Sequence, residues 1–180
     1  MAKMNSVRTV IGKGKFLQLV RDGKWEIAER VNARGAVAVV AVTDNREFVL
    51  TDQFRHAVGC RVIDLPAGLS GDVPGQENEA MALSALRELD EETGFQAGEL
   101  EHLADCPSSP GLTSEIVSYF YANGVTRMNA GGGIENEQID VQTPKLRTIK
   151  KWLAEQVAAG KLIDPKVYAG LYFIGTRRNR

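Results

Sequence analysis

Residues 35 to 43, GAVAVVAVT, form an almost unbroken apolar run in which Val recurs at short intervals and no charge interrupts. Such a run is short enough for a strand, and its β-branched content fits one. With no polar position alternating along it, both of its faces need cover. The central sheet of this chain is therefore expected to carry structure on each side. Asp44-Asn45 follows as a turn into a second strand over 47 to 53.

The remaining segments supply that cover. Upstream, residues 7 to 12, 15 to 21 and 25 to 31 alternate loosely between apolar and polar. They are separated by Gly12-Lys13-Gly14 and by Asp22-Gly23, a hairpin signal, and read as antiparallel strands. Downstream, strands are predicted over 98 to 104, 115 to 122 and 139 to 142, with loops at 107 to 111 and 129 to 138, the latter holding three successive Gly. Helical spacing appears over 79 to 95, where Ala82, Leu83, Leu86 and Leu89 are expected to face a core. It recurs over 148 to 159 (Ile149, Trp152, Leu153, Val157) and after Asp164-Pro165 (Val167, Tyr168, Leu171, Ile174). Strands interleaved with helices in this way predict an α/β protein, a layered α/β/α sandwich.

At 180 residues, with 43% hydrophobic and 25% charged residues, one globular domain over 1 to 180 is expected. A formal net charge of −1 argues against general affinity for nucleic acid or an anionic membrane. Any polyanionic ligand must then be met locally. Cys60 and Cys106 stand outside any Cys/His cluster, no apolar run spans a bilayer, and MAKMNSVRTV has no signal-peptide core, so a cytoplasmic protein with free thiols is expected.

The chemistry concentrates in the helix over 79 to 95, EAMALSALRELDEETGF. Glu88, Glu91 and Glu92 stand at i, i+3 and i+4, on the face opposite its apolar stripe, and are expected to converge in solvent-accessible space. Like charges at that spacing repel and raise one another's pKa unless a cation neutralises them. Oxygen ligands without His or Cys favour Mg²⁺, Mn²⁺ or Ca²⁺. Because Mg²⁺ shares itself readily with substrate phosphates, phosphorus chemistry is the expectation.

The letters around these carboxylates are more specific. Glu79, Arg87-Glu88 and Glu91-Glu92-Thr93-Gly94-Phe95 together resemble the Nudix box: Gly, five residues, Glu, seven residues, Arg-Glu, an aliphatic residue, any residue, Glu-Glu, any residue, Gly and an apolar one. One position departs, for the box Gly falls on Val73. Its counterpart is expected at Gly68, with extra loop over 69 to 78, leaving Glu77 and Glu79 as alternatives for the first box Glu. Beyond the box, three segments are similar to the ADP-ribose and nucleoside-diphosphate-sugar hydrolases of that family. They are Gln53-Phe54-Arg55 with Leu65-Pro66-Ala67-Gly68, Pro110 sixteen positions after Gly94, and Glu135-Asn136-Glu137-Gln138-Ile139.

The resemblance implies the Nudix fold, a mixed sheet between helices with the antiparallel strands of residues 1 to 34 as a dimerisation element. It implies hydrolysis of the diphosphate of a nucleotide sugar, ADP-ribose or a GDP- or ADP-sugar, to a nucleoside monophosphate and a sugar phosphate, by a homodimer using Mg²⁺, with Mn²⁺ as a substitute. Under it, Glu88, Glu91, Glu92 and the Ala67 carbonyl hold the metal, Glu135 or Glu137 is the general base, and Arg87 braces the carboxylates. Arg55 touches a substrate phosphate, Trp25 stacks on the base, and Glu115 supports the site. Two alternatives stand beside this: a Nudix-like module that binds nucleotide without hydrolysing it, and an enzyme acting on another nucleoside diphosphate derivative.

Overall fold

The computed structural model describes residues 7–75, 77–133 and 138–177. The first strands, β1 (Arg8–Lys13), β2 (Leu17–Asp22) and β3 (Trp25–Arg30), form a separate antiparallel sheet in the order β1-β2-β3. The hairpin signal holds: Gly23 takes φ 60° in a two-residue connection that sets Asp22 opposite Trp25.

Two four-stranded sheets make the centre. The first has the order β7-β4-β10-β9, from β4 (Gly35–Val42), β7 (Ala67–Ser70), β9 (Glu101–Pro107) and β10 (Ile116–Asn123). The second has the order β12-β5-β6-β13, from β5 (Leu50–Arg55), β6 (Cys60–Asp64), β12 (Ile139–Gln142) and β13 (Leu162–Ile163). Both sheets mix parallel and antiparallel pairs: β10 runs parallel to β4 and β13 to β6. Backbone bonds from Val49 N–H to the Ala41 carbonyl and from Val39 N–H to the Pro66 carbonyl stitch them together. A minor pair, β8 (Phe95–Gln96) and β11 (Thr126–Arg127), follows the first helix.

The apolar run fulfils its expectation, since β4 separates two cores by simple alternation. Val37, Val39 and Ala41 face Ala85 and Leu89 of α1 (Met81–Thr93). Ala38, Val40 and Val42 face Val167 and Ile174 of α3 (Pro165–Arg177), together with Ile149 and Leu153 of α2 (Ile149–Ala158). Every one of these six β4 side chains is inaccessible to solvent. The result is the α/β/α sandwich, in which α1 lies on one side and α2 and α3 on the other.

Details depart from the sequence expectation. Leu83, Val157 and Tyr168 are exposed. The inner stripe of α1 runs through Ser84, Ala85, Leu89 and Glu92, which places Leu83 about 200° round the helix from Ala85 at about 100° per residue. The strand expected over 98 to 104 runs instead from Glu101 to Pro107, because pairing with β10 sets its limits. Pro107 is tolerated there because β9 is an edge. The presumed loop from 69 begins later, since Leu69 and Ser70 continue β7 against Ala36 and Gly35.

Candidate active site

Helix α1 is aimed at β7 rather than at water. Its C-terminus closes at Gly94, whose φ of 70° is the left-handed conformation that a glycine adopts without a Cβ penalty. The orphan carbonyls of its last turn are then taken by the glycine segment that sequence reading treats as loop. Gly132 N–H donates to the Glu92 carbonyl at 2.9 Å, and Gly133 N–H to that of Glu91 at 3.0 Å. That segment is thus docked onto the end of the acidic helix. Glu135 and Glu137, which follow it, lie outside the described residues.

The carboxylate face is consequently less solvated than expected. Glu92 is only 6% exposed and accepts the Ala67 N–H at 2.9 Å. Glu88 lies against Gly68, where any Cβ would collide with its carboxylate, so a side chain here would force that carboxylate out of its present position. This contact makes Gly68 the glycine on which the acidic helix rests. Burial pushes the Glu88 carboxyl up to about 7; Arg87 opposes the rise and Glu91 adds to it.

Arg87 links two of the helix carboxylates to the strand. Its Nη1 donates to Glu88 Oε1 at 2.8 Å and to Glu91 Oε2 at 3.1 Å, while Nη2 donates to the Leu69 carbonyl at 3.2 Å. Glu79 stands 3.6 Å from Nη2 and accepts the Ser84 hydroxyl at 2.7 Å. Glu77 instead accepts the Gly75 N–H within its own loop. Of the two, Glu79 is the one that stands beside Arg87. The three helix carboxylates do not converge into a ready cage. Among the described residues no three acidic, His or Cys side chains are grouped to hold an ion. Arg87 stands between Glu88 and Glu91, and Glu92 turns to the strand. In donor chemistry the set still fits a hard divalent cation, and the unfavourable burial of Glu88 is the strain such a cation relieves.

Arg87, Glu88, Glu91 and Glu92 line one cleft of about 640 Å³, which also takes in Arg55, Ala67 and Glu115. Trp25 does not line it; it is exposed on β3, with Lys24 Nζ 5.3 Å above its ring. Several lining residues escaped the sequence reading. Arg30, at the end of β3, pairs through Nε with Glu115 Oε2 at 2.5 Å, so the N-terminal sheet contributes a cation to the cleft. In sequence nothing separates it from the other charges of that strand. Asp64, 2% exposed, receives Lys166 Nζ at 3.0 Å and faces Arg55 Nη2 at 3.6 Å. Burial pushes the Asp64 carboxyl up despite that neighbour. Burial also pulls the Lys166 ammonium down, but Asp64 and Asp164 outweigh it and hold the group above its ordinary value. Lys166 did leave a signal, because a cation in the first turn of a helix opposes the macrodipole and needs a local anion.

A three-layer sandwich whose cleft sets a carboxylate edge beside cationic side chains is the framework of an enzyme acting on a polyanion. Residues 32–168 match the NUDIX domain, and the chain belongs to the Nudix hydrolase family. It is 33% identical over 159 residues to the GDP-mannose pyrophosphatase of Enterobacter sp. (strain 638), covering 84% of this chain and 77% of that protein. To the methanol dehydrogenase activator of Bacillus methanolicus it is 29% identical over 185 residues, 97% of this chain and 95% of that protein. The ADP-ribose pyrophosphatase of Mycobacterium tuberculosis is 43% identical over 97 residues, a stretch that spans 54% of this chain but only 45% of that protein. A crystal structure of an ADP compounds hydrolase shares the fold, with a TM-score of 0.63 at 18% identity over 82% of this chain and 80% of that one.

Proposed function

We propose that this protein hydrolyses the diphosphate of a nucleoside diphosphate sugar, such as ADP-ribose or GDP-mannose, to a nucleoside monophosphate and a sugar phosphate. The observation that carries the reading is the cleft itself, with the acidic edge of α1 at Gly68 and the cations Arg30, Arg55 and Lys166 in one cavity. The pyrophosphatase relatives point the same way.

Glu88, Glu91, Glu92 and the Ala67 carbonyl would hold Mg²⁺, with Mn²⁺ as a substitute; when bound, it supplies charge neutralisation of the phosphates and acidifies water. Arg87 holds Glu88 and Glu91 in register, and its replacement disturbs geometry as well as charge. Arg55 binds a phosphate oxygen, for which its planar fork is suited. Glu135 or Glu137 takes the proton of the attacking water. Water adds to one phosphorus, the bridging P–O bond breaks, and two phosphomonoesters leave, with two protons released once both are dianions.

The chain is read as a single domain acting as a cytoplasmic homodimer. The sheet of residues 8–30 supports that reading by exposing Val10, Ile11, Phe16, Leu17 and Leu19, and Trp25 on it would reach a neighbour's base. A phosphatase-coupled assay with ADP-ribose, GDP-mannose and a nucleoside triphosphate, with and without Mg²⁺, tests the activity. Phosphate released from the nucleotide sugars only with metal is the expected result, and hydrolysis of the triphosphate alone refutes the substrate class. For the base, a drop of at least about 10-fold in Glu135→Gln or Glu137→Gln is expected, since proton-transfer assistance contributes about 10²–10⁴.

A further inference from the structure

Beside the acidic helix, one carboxylate oxygen is shared by two cations. Asp64 is buried at the end of β6, three residues before Ala67, and its Oδ1 accepts the Leu65 N–H at 2.7 Å. Oδ2 is left for Lys166 Nζ at 3.0 Å and Arg55 Nη2 at 3.6 Å. Lys166 comes from the other side of the molecule, from the first turn of α3. Asp164 begins that helix by accepting the Lys166 N–H at 2.8 Å, and it also holds Nζ at 2.9 Å. The ammonium is therefore fixed by two carboxylates and mostly buried, whereas Arg55 is 44% exposed to the cleft.

The distances rank the two contacts. At 3.0 Å Lys166 takes the close position on Oδ2, and at 3.6 Å Arg55 is oriented by the same charge but lies beyond hydrogen-bonding reach. An arginine next to an unoccupied buried carboxylate would instead close onto it, because paired N–H donors match carboxylate geometry. An arginine so bound has two of its five N–H donors committed to the carboxylate and its guanidinium drawn toward β6, away from a ligand in the cleft. The four groups Arg55, Asp64, Asp164 and Lys166 also balance in charge. Losing the lysine leaves a net anion lining the cavity that is to receive a diphosphate.

We propose that Lys166 is a positioning residue: by occupying Asp64 it keeps the Arg55 guanidinium presented to a substrate phosphate. This rests on the nucleotide-sugar reading above. The pairing makes α3 part of substrate binding although it is remote in sequence from the acidic helix.

The test is steady-state kinetics on the full chain with whichever of ADP-ribose and GDP-mannose it hydrolyses, and calorimetric binding of the same compounds if neither turns over. Lys166→Met is expected to raise KM (or Kd) about 10- to 100-fold while leaving kcat within a few-fold, as for a lost supporting contact to a binding group. Lys166→Arg, which retains a cation for Asp64, should recover most of the loss. Adding Asp64→Asn to Lys166→Met should also lower KM again, since a neutral amide no longer draws Arg55. A role in folding alone predicts a lower melting temperature, unchanged KM for the folded fraction, and no recovery through Asp64→Asn. Wild-type turnover with an unaltered KM in Lys166→Met, or a raised KM that Asp64→Asn fails to lower, overturns the positioning role and leaves the proposed activity standing. Neither turnover nor binding by the wild-type chain overturns both.

Discussion

Glu88 makes the coupling between protons, metal and stability measurable. Its carboxyl is pushed from an ordinary 4.5 to about 7, chiefly by burial. In metal-free protein, the folded state keeps this proton between those two values and the unfolded chain does not. The folded pKa is the higher one, so the group's stabilising contribution is full below about 4.5 and is lost as pH rises through about 7. At about 1.36 kcal/mol per unit, the loss is on the order of 3 kcal/mol, or about 6–12 °C in melting temperature for a chain of this size. A divalent cation reverses the sign, because it binds the ionised carboxylate. Competition from this one proton should weaken apparent Mg²⁺ or Mn²⁺ affinity about 90-fold between pH 8 and pH 5, with little change above pH 8. The experiment is a set of thermal melts in EDTA from pH 5 to 8, paired with calorimetric Mn²⁺ titrations, on wild-type protein and Glu88→Gln. Asp64 is also shifted upward and contributes in the same direction, so the difference between the two proteins isolates Glu88. Identical pH slopes in wild type and variant, in either measurement, refute the argument.

Other perturbations separate packing from chemistry. Gly68→Ala drives a methyl into the Glu88 carboxylate, and about 1–3 kcal/mol of stability should be lost in chemical denaturation along with metal affinity in calorimetry. Arg87→Lys cannot span Glu88, Glu91 and the Leu69 carbonyl together; a loss of about 10- to 100-fold in activity is expected with the melting temperature nearly retained. Glu92→Gln keeps an oxygen for the Ala67 N–H, so circular dichroism should be unchanged while turnover falls by at least about 100-fold.

What the sequence made legible is what periodicity and local spacing encode. The two-sided burial of β4 follows from an uninterrupted Val/Ala run, and the strand at 139 to 142 was bounded correctly. The acidic cluster is visible because its members lie within one helical turn and a half. Its orientation is another matter. Counting Glu88, Glu91 and Glu92 as the solvent face assumes that charge means exposure, whereas Glu92 continues the inner stripe of Ala85 and Leu89, and Glu88 lies against β7 through the space left by Gly68. Only the strand opposite reveals that, and a strand partner is not encoded in helical periodicity.

The same limit explains the missed charged residues and shows how they can be sought. Arg30, Asp64 and Lys166 come from β3, β6 and α3, spread over most of the chain, and meet only because the two sheets join at β4 and α3 packs across them. No window of sequence contains the group. Two of them nevertheless break a local expectation or sit where one ends: Lys166 opposes its helix dipole, and Asp64 closes its strand at the junction with Leu65-Pro66. Local electrostatic misfits of this kind point to a partner elsewhere in the fold, and here the partners share a cavity with the acidic helix. The cleft is thus specified twice, once by a motif that can be read and once by charges that make sense only when the chain has folded.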